Sequence, residues 1–471
     1  MSSNRYSPRS KRNFDWITLW VLVSLLAVGW LMIFAVEYRE ELGGSIFNLS
    51  TSYGKQLLWL GISSMVIGAC LIIHADFWKT FSFPIFIGFC FILALVPVFG
   101  QEIKGSQSWF TFGFISVQPG ELAKFPTVLA LASFISYYKT HLARNKSFFT
   151  ALGIIGLPVA LIMLQPDAGT ALIYAGLLIV LYRFGANPIW FIIALSIGGL
   201  FISSIIFDDF YVILSLILLA SAFMITNIRR ERHPWMLVFA LVLTLVIISA
   251  AMEWYAVSMI TALLFCLACL GRLFLSGQER LVFILAPALV LGSFFSFTST
   301  YAFDHHLKPH QQDRINVWLQ PHLCDPHGSL YNVLQSKLAI GSGGLSGKGF
   351  LEGTMTKLNY VPEQNTDFIF VTVGEEQGFI GGVAVIVLYC ILLIRIFMMG
   401  ERMTGKFEKV FAYGVGSLLF IHFSINIGMT MGLMPVIGIP LPFMSYGGSS
   451  LLGFSLMMGV LLKLDYDSRN R

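Results

Sequence analysis

The sequence predicts an all-α polytopic membrane protein, a helical bundle of about 14 transmembrane helices with one large extracytoplasmic loop. Hydrophobic residues make up 56% of the chain and charged residues 12%, and the mean hydropathy is +0.77. These values lie outside the range of soluble domains. Apolar runs of roughly 17 to 25 residues, each long enough to cross a bilayer as a helix, recur from one end to the other.

Each apolar run is bounded by a short polar connection. The predicted spans lie near residues 16–36, 55–74, 80–99, 118–138, 147–164, 168–184, 188–207, 210–228, 234–251, 256–275, 280–300, 368–396, 411–431 and 445–463. We expect residues 1–471 to form a single integral membrane domain.

Basic residues gather in alternate connections, as expected when cytoplasmic loops carry the excess of Lys and Arg. The basic N-terminus, residues 1–15, lacks a small-residue cleavage site and therefore predicts a retained first helix. The pattern puts both termini in the cytoplasm and the long loop, residues 301–367, outside. The formal net charge of +5 follows from this topology, so no nucleic-acid partner is expected.

The long loop is the large polar region of the chain, and loops of about 65 residues without a domain of their own are usually functional. Leu330, Val333, Leu334 and Leu338 repeat with helical spacing, which predicts a short amphipathic helix at the outer leaflet. Asp367 is the last acidic residue before the apolar run that follows. A carboxylate held there, at the edge of the membrane, is a candidate for chemistry on a lipid-linked substrate.

Three cations of this loop, Arg314, Lys337 and Lys348, could meet a lipid phosphate, or each could be an isolated solvated charge. The glycine-rich segment 341–349 does not match a P-loop. Its backbone could either cradle a pyrophosphate or form a plain flexible turn. The loop histidines match no common zinc pattern, so the metal ligands stay unknown.

The segment Gln118-Pro119-Gly120-Glu121-Leu122-Ala123-Lys124 opens the fourth apolar run. Glu121 and Lys124 are three residues apart and share a helix face, so they could form a structural ion pair. Ionisable residues at membrane depth also mark functional sites, in which case Lys124 would suit an anionic phosphate. Asp167 is expected to cap the sixth helix. The Pro- and Gly-rich segment 434–450 predicts a re-entrant loop, which needs protein groups to satisfy its backbone.

Together these segments closely resemble the SEDS family (shape, elongation, division and sporulation), the membrane glycosyltransferases of bacterial cell-wall synthesis. The resemblance covers the motifs around Trp109, 118–124, 165–169, 335–349, 361–370 and 434–450, in order. The sequences of segments 335–344 and 434–438 are similar to those of the elongation, RodA-like branch rather than to those of the division branch, FtsW. This chain departs from the family at Ser108, where Arg is common, and at Gly120, where Ser is common. It is also longer than the family core of about ten spans, with about four surplus helices between Phe201 and Thr298.

The resemblance implies polymerisation of lipid II into glycan strands on the outer face of the cytoplasmic membrane, with release of undecaprenyl pyrophosphate. It implies Asp367 as the catalytic residue, and Glu121, Lys124, Trp109 and Gln118 as substrate-binding residues. Lys337 and Lys348, the lysines of the loop that could meet a lipid phosphate, complete the expected substrate-binding set. It also implies a class B penicillin-binding protein and elongation-complex membrane proteins as partners. A divalent cation, Mg or Mn, is associated with the family's activity.

The chemistry expected is a single displacement at an anomeric carbon, with Asp367 taking the proton of the acceptor hydroxyl. Lys124, Lys337 and Lys348 would stabilise the departing pyrophosphate. The alternative is a lipid II flippase, a class of transporter that binds its substrate near the bilayer midplane. Glu375 and Glu376 would be the first place to look for an ion path. A scaffold that only recruits the penicillin-binding protein is a third alternative.

Overall fold

The computed structural model describes residues 14–38, 46–103, 106–113, 115–228, 232–307, 309–328 and 330–469. The basic residues Arg5, Arg9, Lys11 and Arg12, on which the predicted cytoplasmic N-terminus rests, lie outside these ranges. The chain forms two compact units, one of residues 1–187 with 325–471 and one of residues 188–324. The predicted surplus helices fall in the second unit.

The first unit begins with helices whose bounds follow the predicted apolar runs. They are α1 (Trp16–Glu37), α2 (Ser52–Ile72), α3 (Ala75–Thr80), α4 (Ser82–Phe99), α5 (Pro119–Ser136), α6 (Asn145–Met163), α7 (Ala168–Ile173) and α8 (Leu177–Arg183). A 3₁₀ turn, Tyr174–Gly176, joins α7 to α8. Asp167 caps α7 by accepting a hydrogen bond from the Thr170 N–H at 3.0 Å, which confirms its predicted role as a cap.

The connection from α4 to α5 contains a small antiparallel sheet that the sequence did not predict. Its strands are β1 (Gln101–Ile103), β2 (Ser106–Phe112) and β3 (Ile115–Val117), in the order β1-β2-β3. Trp109 lies in β2 opposite Gln101. The sheet leads into α5 and so fixes where the segment that begins at Gln118 starts.

The second unit consists of α9 (Pro188–Ile206), α10 (Asp209–Asn227), α11 (Arg232–Ala251), α12 (Tyr255–Leu275), α13 (Glu279–His306) and α14 (Pro309–Leu319). Its core is apolar and lies mainly between α10, α11 and α12, which pack against one another. The long loop predicted to start at Tyr301 begins later, because α13 continues to His306.

The chain returns to the first unit with α15 (Tyr331–Ser342), α16 (Thr354–Lys357), α17 (Ile369–Glu376), α18 (Gly378–Arg402), α19 (Lys406–Thr430) and α20 (Gly448–Arg469). The predicted short helix of the long loop is confirmed as α15. Helices α19 and α20 are buried over most of their length. Helix α5 packs against both of them, and α2 packs against α20.

The predicted continuous span 368–396 is wrong, because the helix breaks between α17 and α18. Gly378 has a φ of +64° there, and a Cβ at this position would lie 2.2 Å from the backbone nitrogen of Gly347. Only glycine permits both the backbone angle and the approach of the neighbouring chain. The break therefore results from packing against the glycine-rich segment of the long loop.

Twelve helices among the described residues are long and apolar enough to cross a membrane by length and composition. The protein is accordingly a multi-pass membrane protein. Two further predicted spans correspond to α5, which carries Glu121 and Lys124, and to the pair α7 and α8.

Candidate functional site

The centre of the candidate site is a buried ion pair on α5. Pro119 opens the helix at its first turn, where a missing N–H costs nothing. Glu121 and Lys124 then lie on one face, and the Lys124 Nζ is 2.5 Å from Glu121 Oε1. Lys124 is completely buried and Glu121 is 5% exposed. The other carboxylate oxygen, Glu121 Oε2, has no hydrogen-bond partner among the described residues.

A third member of this cluster, His422, comes from the middle of α19. Its Nε2 atom lies 2.8 Å from Lys124 Nζ, and its Nδ1 atom lies 3.1 Å from the carbonyl oxygen of Pro440. The ring is fully buried and forms a T-shaped contact with the ring of Phe454. His422 belongs to none of the motifs identified in the sequence, although an ionisable residue inside a predicted span is the signal that could have identified it.

Asp367 lies at the end of the long loop, one residue before the N-cap of α17. Its backbone N–H donates to Glu363 at 3.1 Å, and its carbonyl oxygen accepts a hydrogen bond from Asn426 at 2.8 Å. The carboxylate is half-buried and lies against Gly438, where a Cβ would sit 3.3 Å from Asp367 Oδ2. Gly438 has a φ of +74°, so glycine satisfies both constraints at this contact.

Asn426 is the second residue of α19 at the site that belongs to none of the motifs identified in the sequence. Its side-chain N–H₂ group donates to the carbonyls of both Asp367 and Ile439, at 2.8 and 2.7 Å. His422 and Asn426 are four residues apart, so they share one face of α19. They bind the successive carbonyls of Pro440 and Ile439. One face of α19 thus connects the surroundings of Lys124 with those of Asp367.

The segment between α19 and α20, residues 431–447, has irregular backbone that is buried from Leu441 to Ser445. Protein groups satisfy it at several points, in addition to the contacts of α19. The Tyr389 hydroxyl donates to the Pro442 carbonyl, and the Leu441 N–H donates to Ser445 Oγ at 2.8 Å. Irregular backbone at membrane depth is tolerated only where protein provides such partners.

Gln118 and Trp109 lie at the predicted outer end of α5. The Gln118 side chain donates to Asp167 Oδ2 at 2.6 Å and to Thr170 Oγ1 at 3.3 Å, and its backbone N–H donates to Ser449 Oγ at 2.9 Å. Gln118 therefore connects α5, α7 and α20 at one point. Trp109 is half-buried in β2.

Lys337 and Lys348 differ in their surroundings. Lys337 is exposed on α15, and its Nζ lies 2.6 Å from the position of a Cβ on Gly432, just after α19. Ser336, the preceding residue, ties α15 to α19 by donating to the Thr430 carbonyl at 2.6 Å. Lys348 instead lies 2.7 Å from Glu375 Oε1 and donates to Thr354 Oγ1 at 2.8 Å.

The glycine-rich segment is a packing element. The backbone N–H groups of Lys348 and Gly349 donate to the carbonyls of Glu375 and Glu376, at 3.1 and 3.0 Å. A Cβ on Gly347 would lie 2.1 Å from the Glu376 carbonyl oxygen. Because these N–H groups are already used at the end of α17, they do not form a cradle for pyrophosphate. The segment is also not a plain flexible turn.

The described residues contain no group of three or more His, Cys, Asp or Glu side chains arranged to hold a metal ion. The side chains present therefore do not fit a divalent cation held by protein ligands alone.

The chain matches a known protein family over almost its whole length. The profile of the FTSW_RODA_SPOVE family, described as cell cycle protein, matches residues 16–213 and 209–470. The chain belongs to this family. SEDS relatives align over almost the whole chain. RodA of Treponema pallidum, named a peptidoglycan glycosyltransferase, is 31% identical, with 97% of this chain and 98% of the relative covered. FtsW of Coxiella burnetii, named a probable peptidoglycan glycosyltransferase, is 29% identical, with 97% and 96% covered.

MrdB of Escherichia coli, also named a peptidoglycan glycosyltransferase, is 28% identical, with 96% of each chain covered. Because RodA and FtsW relatives have similar identities, assignment to the elongation branch stays a prediction.

Solved SEDS structures show the same fold. A chain from a study of how a peptidoglycan synthase complex coordinates polymerization and crosslinking has a TM-score of 0.61, with 23% identity and coverage of 97% and 98%. RodA of Thermus thermophilus has a TM-score of 0.55, with 21% identity and 97% of each chain covered.

Proposed function

We propose that this protein is a peptidoglycan glycosyltransferase that polymerises lipid II on the outer face of the bacterial cytoplasmic membrane and releases undecaprenyl pyrophosphate. The observation that carries the proposal is the match of almost the whole chain to the SEDS family. Relatives in this family are named peptidoglycan glycosyltransferases. The site adds support, because one face of α19 connects the candidate base Asp367 with the buried cation Lys124.

Asp367 is the proposed general base. A sugar hydroxyl is a poor nucleophile at neutral pH, so a carboxylate must accept its proton as the glycosidic bond forms. Asp367 is half-buried at the end of the loop, and its backbone is held by Glu363 and Asn426. These contacts would fix the direction of the carboxylate, and a single displacement needs no second carboxylate for a covalent step.

The departing pyrophosphate gathers negative charge in the transition state, and a fixed cation stabilises it most in a site without water. We assign this role to Lys124, which Glu121 keeps charged and oriented. Lys337 is exposed and would meet phosphate at the entrance to the site. Trp109 and Gln118 would border the substrate at the predicted outer end of α5. A divalent cation, Mg or Mn, would need phosphate oxygens of the substrate among its ligands.

A class B penicillin-binding protein is the proposed partner, within a complex of elongation membrane proteins. The related chain from the study of a peptidoglycan synthase complex, which concerns polymerization together with crosslinking, supports this assignment. Both termini are proposed to be cytoplasmic. The surplus helices of the second unit have no assigned role.

The test is polymerisation of labelled lipid II by the full-length protein in liposomes, with the class B penicillin-binding protein of the same organism. We expect Asp367→Asn to fold normally and to make no polymer, because asparagine cannot accept the proton. Asp325→Asn is the matched control, since Asp325 is an exposed carboxylate of the same loop and should leave the rate unchanged.

Polymer formed at the normal rate by Asp367→Asn would refute the assignment of the base. Movement of lipid II across the bilayer without polymer, by the wild-type protein, would instead support a flippase. Absence of both activities would support a scaffold.

A further inference from the structure

His422 is a side chain whose partners connect two separate parts of the candidate site. On one side its Nε2 atom is 2.8 Å from Lys124 Nζ. On the other side its Nδ1 atom is 3.1 Å from the Pro440 carbonyl oxygen, two residues from Gly438, against which the Asp367 carboxylate lies. The ring is fully buried, so neither contact competes with bulk water.

The chemistry of the two partners fixes the form of the imidazole. A lysine ammonium only donates hydrogen bonds and a carbonyl oxygen only accepts them. Nε2 must therefore carry the lone pair that accepts from Lys124, and Nδ1 must carry the proton donated to Pro440. His422 is thus a neutral imidazole of one defined tautomer.

This contact also fixes the orientation of the ammonium group. Of its three N–H bonds, one is directed to Glu121 Oε1 and a second to His422 Nε2. With two of three bonds directed by buried partners, the direction of the third is determined by tetrahedral geometry. A lysine is otherwise a flexible point charge on a long stem. If Glu121 were its sole partner, the ammonium group of Lys124 could still rotate about the hydrogen bond to Glu121.

We propose that His422 is a positioning residue that aims the third N–H of Lys124 at the leaving-group phosphate and ties it to the backbone segment beside Asp367. The inference rests on the proposed function. His422 does not touch the reacting atoms. It keeps the cation and the segment beside the base in one fixed geometry, and misplacement of such groups costs up to about 100-fold in rate.

The experiment compares His422→Leu with His422→Gln in the liposome assay, with kcat and KM measured for labelled lipid II. Leucine removes both hydrogen bonds at similar volume. Glutamine can accept from Lys124 through its carbonyl and donate to Pro440 through its amide. We expect His422→Leu to lower kcat about tenfold or more and to change KM by less than about threefold, because Lys124 acts on charge that develops in the transition state. His422→Gln should restore kcat to within about threefold of the wild type.

Tyr389→Phe is the matched control. Tyr389 donates to the Pro442 carbonyl of the same segment and is also fully buried, but its hydrogen bond does not involve Lys124. If His422 merely braced this segment, both variants would lose kcat to a similar extent. We expect Tyr389→Phe to keep kcat within about threefold of the wild type, although its thermal unfolding midpoint falls through the lost hydrogen bond.

Three results would overturn the inference: normal kcat in His422→Leu, no rescue by His422→Gln, or an equal loss in Tyr389→Phe. If His422→Leu does not fold, His422→Asn replaces it. Asparagine is too short to reach both partners, so a normal kcat there would equally refute the role. A wild-type protein that makes no polymer refutes the proposed function and this role together. An active wild type with an equally active His422→Leu refutes this role alone.

Discussion

Lys124 is a charged side chain completely buried in the protein, and its ion pair with Glu121 can be either a structural contact or part of the site. Removing a charge from water costs several kcal/mol, and a buried pair seldom recovers that cost in full. A packed apolar pair of similar volume would often be as stable. The presence of Glu121, Lys124 and His422 together therefore favours a functional role over a purely structural one.

Replacing one or both members of the pair separates these roles. Glu121→Gln should lower the free energy of unfolding by about 3–5 kcal/mol, because it leaves the Lys124 charge buried without a carboxylate. The double variant Glu121→Gln with Lys124→Met removes both charges and should recover most of that stability. It should still make no polymer, because the cation for the leaving group is gone.

The measurements are the thermal unfolding midpoint in detergent and the rate of lipid II polymerisation for the single and double variants. A stable double variant with normal polymerisation would show that Glu121 and Lys124 only pair with each other. Lys139→Met is the control for loss of a lysine, since Lys139 is exposed just after α5.

At the scale of elements, Glu375 on α17 holds the long loop in place. Its buried carboxylate accepts hydrogen bonds from Lys348, from the backbone N–H groups of Met355 and Thr356, and from the hydroxyls of Thr354 and Thr356, at 2.7 to 3.3 Å. A carboxylate with so many donors organises the residues around α16, ten residues before Asp367. Such a residue serves the architecture of the loop.

This arrangement gives a direct test of Lys348, which the sequence of the loop predicts to meet a lipid phosphate. Glu375→Gln should destabilise the protein by about 1–3 kcal/mol, because an amide cannot accept all the hydrogen bonds of the carboxylate. If Lys348 acts through Glu375, adding Lys348→Met to Glu375→Gln should cause no further loss of polymerisation. The pair should also show a coupling energy of about 0.5–3 kcal/mol in unfolding.

A further drop in kcat or a rise in KM in the double variant would instead show that Lys348 contacts the substrate. Lys357→Met provides the comparison, because Lys357 is an exposed lysine at the end of the neighbouring α16.

The helices were predictable from sequence because membrane spans follow from local properties, namely hydrophobic length and the turn residues between runs. The amphipathic helix α15 and the cap at Asp167 have local signals as well. The break at Gly378 was not predictable, because its cause is the approach of Gly347, about thirty residues earlier in the chain. Apolar composition alone made residues 368–396 look continuous.

The contacts of the site likewise divide into local ones, which the sequence can predict, and long-range ones, which it cannot. The pairing of Glu121 with Lys124 is local, since their spacing of three residues puts them on one helix face. The contacts of His422 and Asn426 cross about 300 and 60 residues of sequence, and only tertiary packing creates them. The partner of Lys348 lies 27 residues away, so the prediction of a free cation for pyrophosphate could not include Glu375.

At the scale of the whole chain, three distant segments meet at one end of the first unit, the end predicted to be cytoplasmic. Asp15 lies just before α1. Its Oδ2 atom is 2.5 Å from the Nη2 atom of Arg395 and 2.7 Å from that of Arg402, both on α18, and 3.2 Å from that of Arg469 on α20. Arg402 also binds Asp465 of α20 at 2.6 Å. The start of α1 and the ends of α18 and α20 therefore lie together, in agreement with an even number of crossings between them.

This cluster predicts that the stability of the fold depends on pH through the ionisation of Asp15. Burial alone would raise the pKa of Asp15, but hydrogen bonds from Arg402, from the Thr18 N–H and from Arg395 outweigh it and lower the pKa to about 2. Because the folded pKa is below the ordinary value of 3.8, the carboxylate stabilises the fold above that pH. The contribution is lost as the pH falls from about 4 to about 2.

Asp15→Asn should therefore lower the thermal unfolding midpoint in detergent at pH 6, by an amount that corresponds to about 1–3 kcal/mol of lost charge-assisted hydrogen bonding. The gap between variant and wild type should narrow steadily below pH 4, because the wild-type carboxylate becomes neutral while asparagine does not titrate. Asp467→Asn is the matched control. Its carboxylate forms an ion pair with Lys463 on the same end of α20, and partly exposed pairs of this kind contribute at most about 1 kcal/mol. A gap that stays constant from pH 6 to pH 2.5 would show that the Asp15 carboxylate does not carry this stability. Equal losses in the two variants would show that any carboxylate at this end of the protein has the same effect.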